Sequence, residues 1–91
     1  MAHNTQKVQI SIKKASTLLS RVLKMIEDDK YCPDIIHQNL SVIGLLRSAN
    51  EQLLEGHLGH CFKEAMQSDN AKKQQQMTDE LLKILKTAQK K

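Results

Sequence analysis

Cys32, His57 and Cys61 are the side chains of this sequence best suited to metal or thiol chemistry. His57 and Cys61 stand four apart, one turn of a helix, so both would project from one face and could grip an ion from one side. The same spacing also suits a solvated helical histidine beside cysteines buried as small hydrophobes, and for a lone pair at this spacing that reading outranks a metal site. Two thiolates and one imidazole make a soft, three-coordinate donor set. Such a set selects copper(I) over hard cations and leaves zinc short of the four ligands its structural sites prefer. A helical Cys and His pair also suggests a nucleophile and base, but nothing nearby supplies an oxyanion site or a cleft, so no enzyme is expected.

Elements to hold these residues can be read from the apolar spacing. Val8, Ile12, Ala15, Leu19, Val22 and Ile26 fall at threes and fours and predict helix one over about 5–29. Pro33 disfavours helical geometry at Cys32 and suits the start of a new helix, which places Cys32 at an N-cap. Helix two, about 33–66, has one apolar row through Ile35, Val42, Leu46, Ala49 and Leu53, and a second through Ile36, Leu40, Ile43 and Leu54. At 1.5 Å per residue it would be on the order of 50 Å long, too long for one small helix to cover, so self-association is expected. After the turn Ser68-Asp69-Asn70 and the run Gln74-Gln75-Gln76, the residues Met77, Leu81, Ile84, Leu85 and Ala88 predict an amphipathic helix three over about 72–89.

The expected fold is therefore all-α, with three helices per protomer, one of them long and central, in a single domain over 1–91. One Phe, one Tyr and no Trp suit packed aliphatic helices, and three Gly with one Pro leave little for hairpins or phosphate-cradling loops. No apolar run is long enough to span a membrane and MAHNTQK lacks a signal-peptide core, so a cytoplasmic protein with no membrane partner is expected. Two cysteines in a reducing compartment suit metal binding better than a structural disulfide. The formal charge of +4 suits an acidic partner without naming it.

Cys32 and the His57/Cys61 pair lie at opposite ends of helix two, roughly 35 Å apart along an unbroken axis, so one chain cannot close a site around all three. Two such helices packed antiparallel would bring Cys32 of one copy beside His57 and Cys61 of another. A dimer would then hold two equivalent sites.

Met25-Ile26-Glu27-Asp28-Asp29-Lys30-Tyr31-Cys32-Pro33-Asp34 and Leu53-Leu54-Glu55-Gly56-His57-Leu58-Gly59-His60-Cys61 closely resemble the CsoR family of copper-sensing repressors, over roughly two thirds of the chain. The resemblance implies a Cu(I) site shared between subunits with Cys32, His57 and Cys61 as ligands, and a dimer that assembles into a tetramer. Tyr31 and Glu80 resemble the tyrosine and glutamate that support those ligands in the family, although the loop before Glu80 is longer here. His60 points about 100° off the ligand face and is expected to be solvated. Related nickel and cobalt sensors use an N-terminal histidine but have histidine where this chain has Cys61, so His3 is not expected to be a ligand. Related persulfide sensors lack the histidine found here as His57.

The sequence also departs from the family. Where the repressors carry a segment like Arg-Leu-x-Arg-Ile-x-Gly-Gln, this chain reads Ser11-Ile12-Lys13-Lys14-Ala15-Ser16-Thr17-Leu18. Ile43 stands where helix two of the family has an arginine. Lysine does not reproduce bidentate arginine geometry, and each lost phosphate contact lowers affinity. These losses weigh against DNA as a partner and favour a Cu(I) buffer or chaperone in copper homeostasis, exchanging its ion with copper-transport proteins. The alternative is a copper-responsive repressor that holds DNA through Lys7, Lys13, Lys14, Arg21, Lys24 and Arg47 and releases it on binding Cu(I). The same cations would also serve as an ordinary solvated helix face.

Overall fold

The computed structural model describes residues 5–89, all of its regular elements helical: α1 (Thr5–Glu27), α2 (Cys32–Gly56), a π-helical segment (His57–Phe62), α3 (Lys63–Gln67) and α4 (Ala71–Gln89). No strand occurs among the described residues. The long central helix expected from the sequence is present as the helical run from Cys32 to Gln67, with the π turn inside it. Contacts divide the chain into two units, one ending at Gly56 and the other beginning at His57.

The first unit is an antiparallel pair, α1 against α2. Val8, Ser11, Ala15 and Val22 of α1 are buried, with Leu18 and Met25 half-buried in the same row. From α2 they meet Val42 and Ala49, with Ile35, Gln38, Leu45 and Gln52 half-buried between them. Both rows step by threes and fours, the spacing of a coiled-coil seam. Ala15, Ala49 and Ser11 are small, so the seam is narrow and the larger aliphatics beside it stay in solvent.

That seam corrects the expected stripe of helix one. Ile12, Leu19 and Ile26 are exposed, the last at 57%, and Ser11, Leu18 and Met25, one residue earlier, take the inward places. Two adjacent rows of α1 carry apolar residues, and the row of larger side chains faces outward. On α2, Leu46 gives way to Leu45 in the same manner, while Ile36, Leu40 and Ile43 of the second row are exposed. Advancing one residue rotates the outward row in opposite senses on two antiparallel helices, so these exposed aliphatics come to one side of the pair.

The turn between the helices is built from backbone hydrogen bonds. Asp29 sits in the left-handed region at φ 56°, its N–H donates to Ile26 O at 3.1 Å, and Lys30 N–H donates to Met25 O at 2.9 Å. This pairing is the Schellman arrangement, which satisfies the last carbonyls of α1.

In the second unit Ala65 is the fully buried residue. Asn70 caps α4, its Oδ1 accepting from Lys73 N–H at 3.1 Å, and Gln74 Nε2 donates to Ser68 O at 2.7 Å and Met66 O at 3.3 Å. The glutamine run is helical, with Gln75 and Gln76 donating to Asp79 and Glu80 one turn on. Leu82, Ile84 and Leu85 remain exposed on α4.

Candidate metal centre

Cys32 is the first residue of α2 rather than its cap. The carbonyl of Tyr31 accepts from Asp34 N–H at 3.0 Å and from Ile35 N–H at 3.3 Å, which makes Tyr31 the cap residue and carries the helix back one position. Pro33 falls in the first turn, where its missing N–H leaves no bond unmade. The α1–α2 turn thus delivers Cys32 as an exposed thiol at a corner, beside an exposed Tyr31.

His57 opens the π segment and Cys61 lies within it, both half-buried. The π turn is the feature that the sequence did not reveal. A wider i→i+5 turn is rare in proteins and concentrates at functional sites. Gly56 and Gly59 favour it, because glycine adds no side-chain packing to hold a regular helix; a Cβ built at Gly59 would meet nothing within 4 Å. No residue of the π segment is buried, so its shape is not imposed by a core.

The three expected ligands are therefore distributed, two to one π turn and one to the far end of α2. That helix, 25 residues long, spans about 37 Å from Cys32 to Gly56. Among the described residues, no three His, Cys, Asp or Glu side chains gather closely enough to hold an ion. The donor chemistry nevertheless fits copper(I). Neither cysteine is in a disulfide, and the expected ligands offer sulfur and imidazole without a hard oxygen.

His60 turns outward as expected, exposed, with Nε2 3.9 Å from Glu64 Oε1 one turn later. Glu80 is exposed on α4 and accepts from Gln76 Nε2 at 3.4 Å. His3 lies outside the described residues. Lys13, Lys14, Arg21, Lys24 and Arg47 are all exposed, and Lys13 and Lys14 line a shallow groove with Thr17, Leu18 and Leu45. No helix of the described residues is long and apolar enough to cross a membrane.

Residues 4–87 match the family model for metal-sensitive transcriptional repressors. The chain is 44% identical over 45 residues to the copper-sensing transcriptional repressor RicR of Mycobacterium tuberculosis, a match that covers 50% of this chain and 47% of that protein. It spans about half the length of that relative. Similarity to the copper-sensing transcriptional repressor CsoR of Bacillus subtilis runs over 75 residues at 31% identity, covering 82% of this chain and 71% of that one. Among solved structures, the copper-sensing repressor CsoR with Cu(I) from Geobacillus thermodenitrificans superposes with a TM-score of 0.85 at 29% identity, over 99% of this chain and 91% of that one.

Proposed function

Because the chain belongs to the metal-sensitive transcriptional repressor family, we propose that it is a copper(I)-responsive repressor whose sites form between copies of itself. The buffer or chaperone reading favoured by the altered arginines gives way here. Both relatives and the matching structure are described as copper-sensing repressors, and the match to the family model runs over nearly the whole chain. The loss of particular arginines argues about how DNA is held. It is a weaker argument about whether DNA is held.

The observation that carries this reading is the placement of soft donors at the two ends of one helix. Cys32 begins α2 and His57 follows its last residue, with Cys61 one turn beyond. Antiparallel association of two copies along their exposed aliphatic face would bring one copy's Cys32 toward the other's His57 and Cys61. In that pocket the three side chains would hold Cu(I), which supplies a soft three-point bond between subunits. Tyr31, through its carbonyl at the head of α2, sets the direction in which Cys32 leaves the turn. Glu80, held by Gln76, is the carboxylate that the family resemblance assigns to support of the ligands.

Repression then follows from linkage. If the metal-bound arrangement of subunits holds DNA less tightly than the metal-free one, the ion and the operator oppose each other by the same factor, with coupling of about 1 to 3 kcal/mol in typical cases. The test is a binding titration on the DNA upstream of the protein's own gene. Metal-free protein is expected to bind, and one Cu(I) per protomer, added anaerobically, is expected to release it. Failure of both forms to bind any duplex would return the buffer reading to first place.

A further inference from the structure

The seam between α1 and α2 is built in layers. Val8, Ala15 and Val22 recur at heptad spacing on α1, as do Ser11, Leu18 and Met25. On α2 the matching rows are Ile35, Val42 and Ala49, then Gln38, Leu45 and Gln52. Leu18 and Leu45 line one groove and so stand at one level. In an antiparallel pair a heptad forward on α1 meets a heptad back on α2, which sets Met25 level with Gln38 and Ser11 level with Gln52. The other row pairs Val22 with Val42, Ala15 with Ala49, and Val8 with Gly56, the last residue of α2.

The middle layers are apolar on both sides, and a glutamine marks each end. The ends differ in what else holds them. Beside Met25 and Gln38 the chain itself joins the helices, and Lys30 N–H donates to Met25 O across the turn. Beside Ser11 and Gln52 the pair is open. There Gln52 Nε2 donates to Ser48 Oγ at 3.5 Å, while its Oε1 is buried with no hydrogen-bond partner. A buried unpaired oxygen opposes closure, because opening returns it to water. Beyond that layer Val8 is the buried apolar side chain of α1, and it meets a glycine.

We propose that residues 5–12 of α1 form a latch over the last turn of α2, which opens as a unit while the rest of the pair stays closed, and that Gln52 sets how readily it opens. Local opening of this kind belongs to segments with few buried apolar contacts. Gly56 runs directly into His57, so the latch rests on the end of α2 that leads into the candidate ligand pair. Order at the two places is then shared. An ion that fixes His57 and Cys61 steadies the surface on which the latch closes, and a closed latch steadies His57 by the same factor. This coupling rests on the copper reading; the latch itself does not.

Hydrogen exchange at neutral pH would test both parts, comparing the amides of residues 9–12 with those of 18–25. In metal-free wild type the first group is expected to exchange much faster. Gln52→Leu, and Gln52→Met as a second variant, should slow it by about tenfold by removing the unpaired oxygen, with 18–25 little changed. Gln38→Leu, in the layer tied by the turn, should leave 9–12 unchanged. Simple fraying of α1 would not respond to residue 52 on the other helix, so unchanged exchange in both folded Gln52 variants would overturn the latch. One Cu(I) per protomer, added anaerobically, should slow 9–12 in wild type by about fivefold, more than it slows 18–25. Equal slowing of both groups, in a sample shown by chelator competition to hold its copper, would overturn the coupling. Failure to hold copper would count against the copper reading instead, and the Gln52 variants would still decide the latch.

Discussion

The two ends of α2 both carry candidate ligands and are built by opposite means. At the first end, the N–H groups of Asp28, Asp29 and Lys30 donate to the carbonyls of Lys24, Ile26 and Met25 and close a tight corner around the left-handed Asp29, just before Cys32. At the other, the α-helical register gives way at His57 to a π turn with nothing buried in it. The first end presents its thiol from a fixed corner. The second presents an imidazole and a thiol on a turn whose shape other contacts can still decide. A site assembled from both would join a corner set by backbone hydrogen bonds to a π turn in which no residue is buried.

The largest expected effect comes from removing a ligand at either end. Cys32→Ser and Cys61→Ser should each abolish stoichiometric Cu(I) binding, lowering affinity by about 100-fold or more, because two remaining ligands no longer surround the ion. Anaerobic titration against a chromophoric Cu(I) chelator measures this. Equal losses would support a shared site, and a loss on one side only would break the comparison.

A smaller effect is expected at the rigid end. Asp29→Gly relieves a side chain held at φ 56° and should stabilise the protein by about 0.5 to 1 kcal/mol, read as a higher Tm with Cu(I) affinity unchanged. Gly59→Ala, at the adaptable end, is expected to have the smallest effect. With nothing within 4 Å of the new Cβ, it should add up to about 0.5 kcal/mol of helical stability and slow amide exchange over 57–62. Destabilisation by Gly59→Ala would mean that the π turn is packed tightly in the assembly.

Much of this contrast was legible in the sequence, though unevenly. The helical class, the break at Asp28–Tyr31 and the turn at Ser68–Asn70 follow from Pro33, Asn70 and the apolar spacing, all local signals. The inward row of α1 was misassigned at Ile12, Leu19 and Ile26 because two neighbouring rows are apolar, and size settled which of them faced α2. Small Ala15 and Ala49 let the helices close, and a buried Ser11 has no hydrophobic signature. The π turn was invisible because His57 and Cys61 at a spacing of four read the same in an α register. Lys7, Lys14 and Arg21 share one side of α1 by their seven-residue spacing, but which way that side faces became clear only once Ser11 and Leu18 fixed the orientation of the helix.

The central claim is that each site takes Cys32 from one copy and His57 with Cys61 from another. Cys32→Ser and Cys61→Ser proteins, each unable to bind, can be mixed, exchanged through mild denaturant and titrated with Cu(I). Half of the dimers would then be mixed, and each mixed dimer would hold one site with all three native ligands and one with neither thiol. Recovery of about one tight copper per four protomers is predicted. Recovery of none, in a mixture shown to have exchanged subunits, would mean that the ligands do not come from different copies.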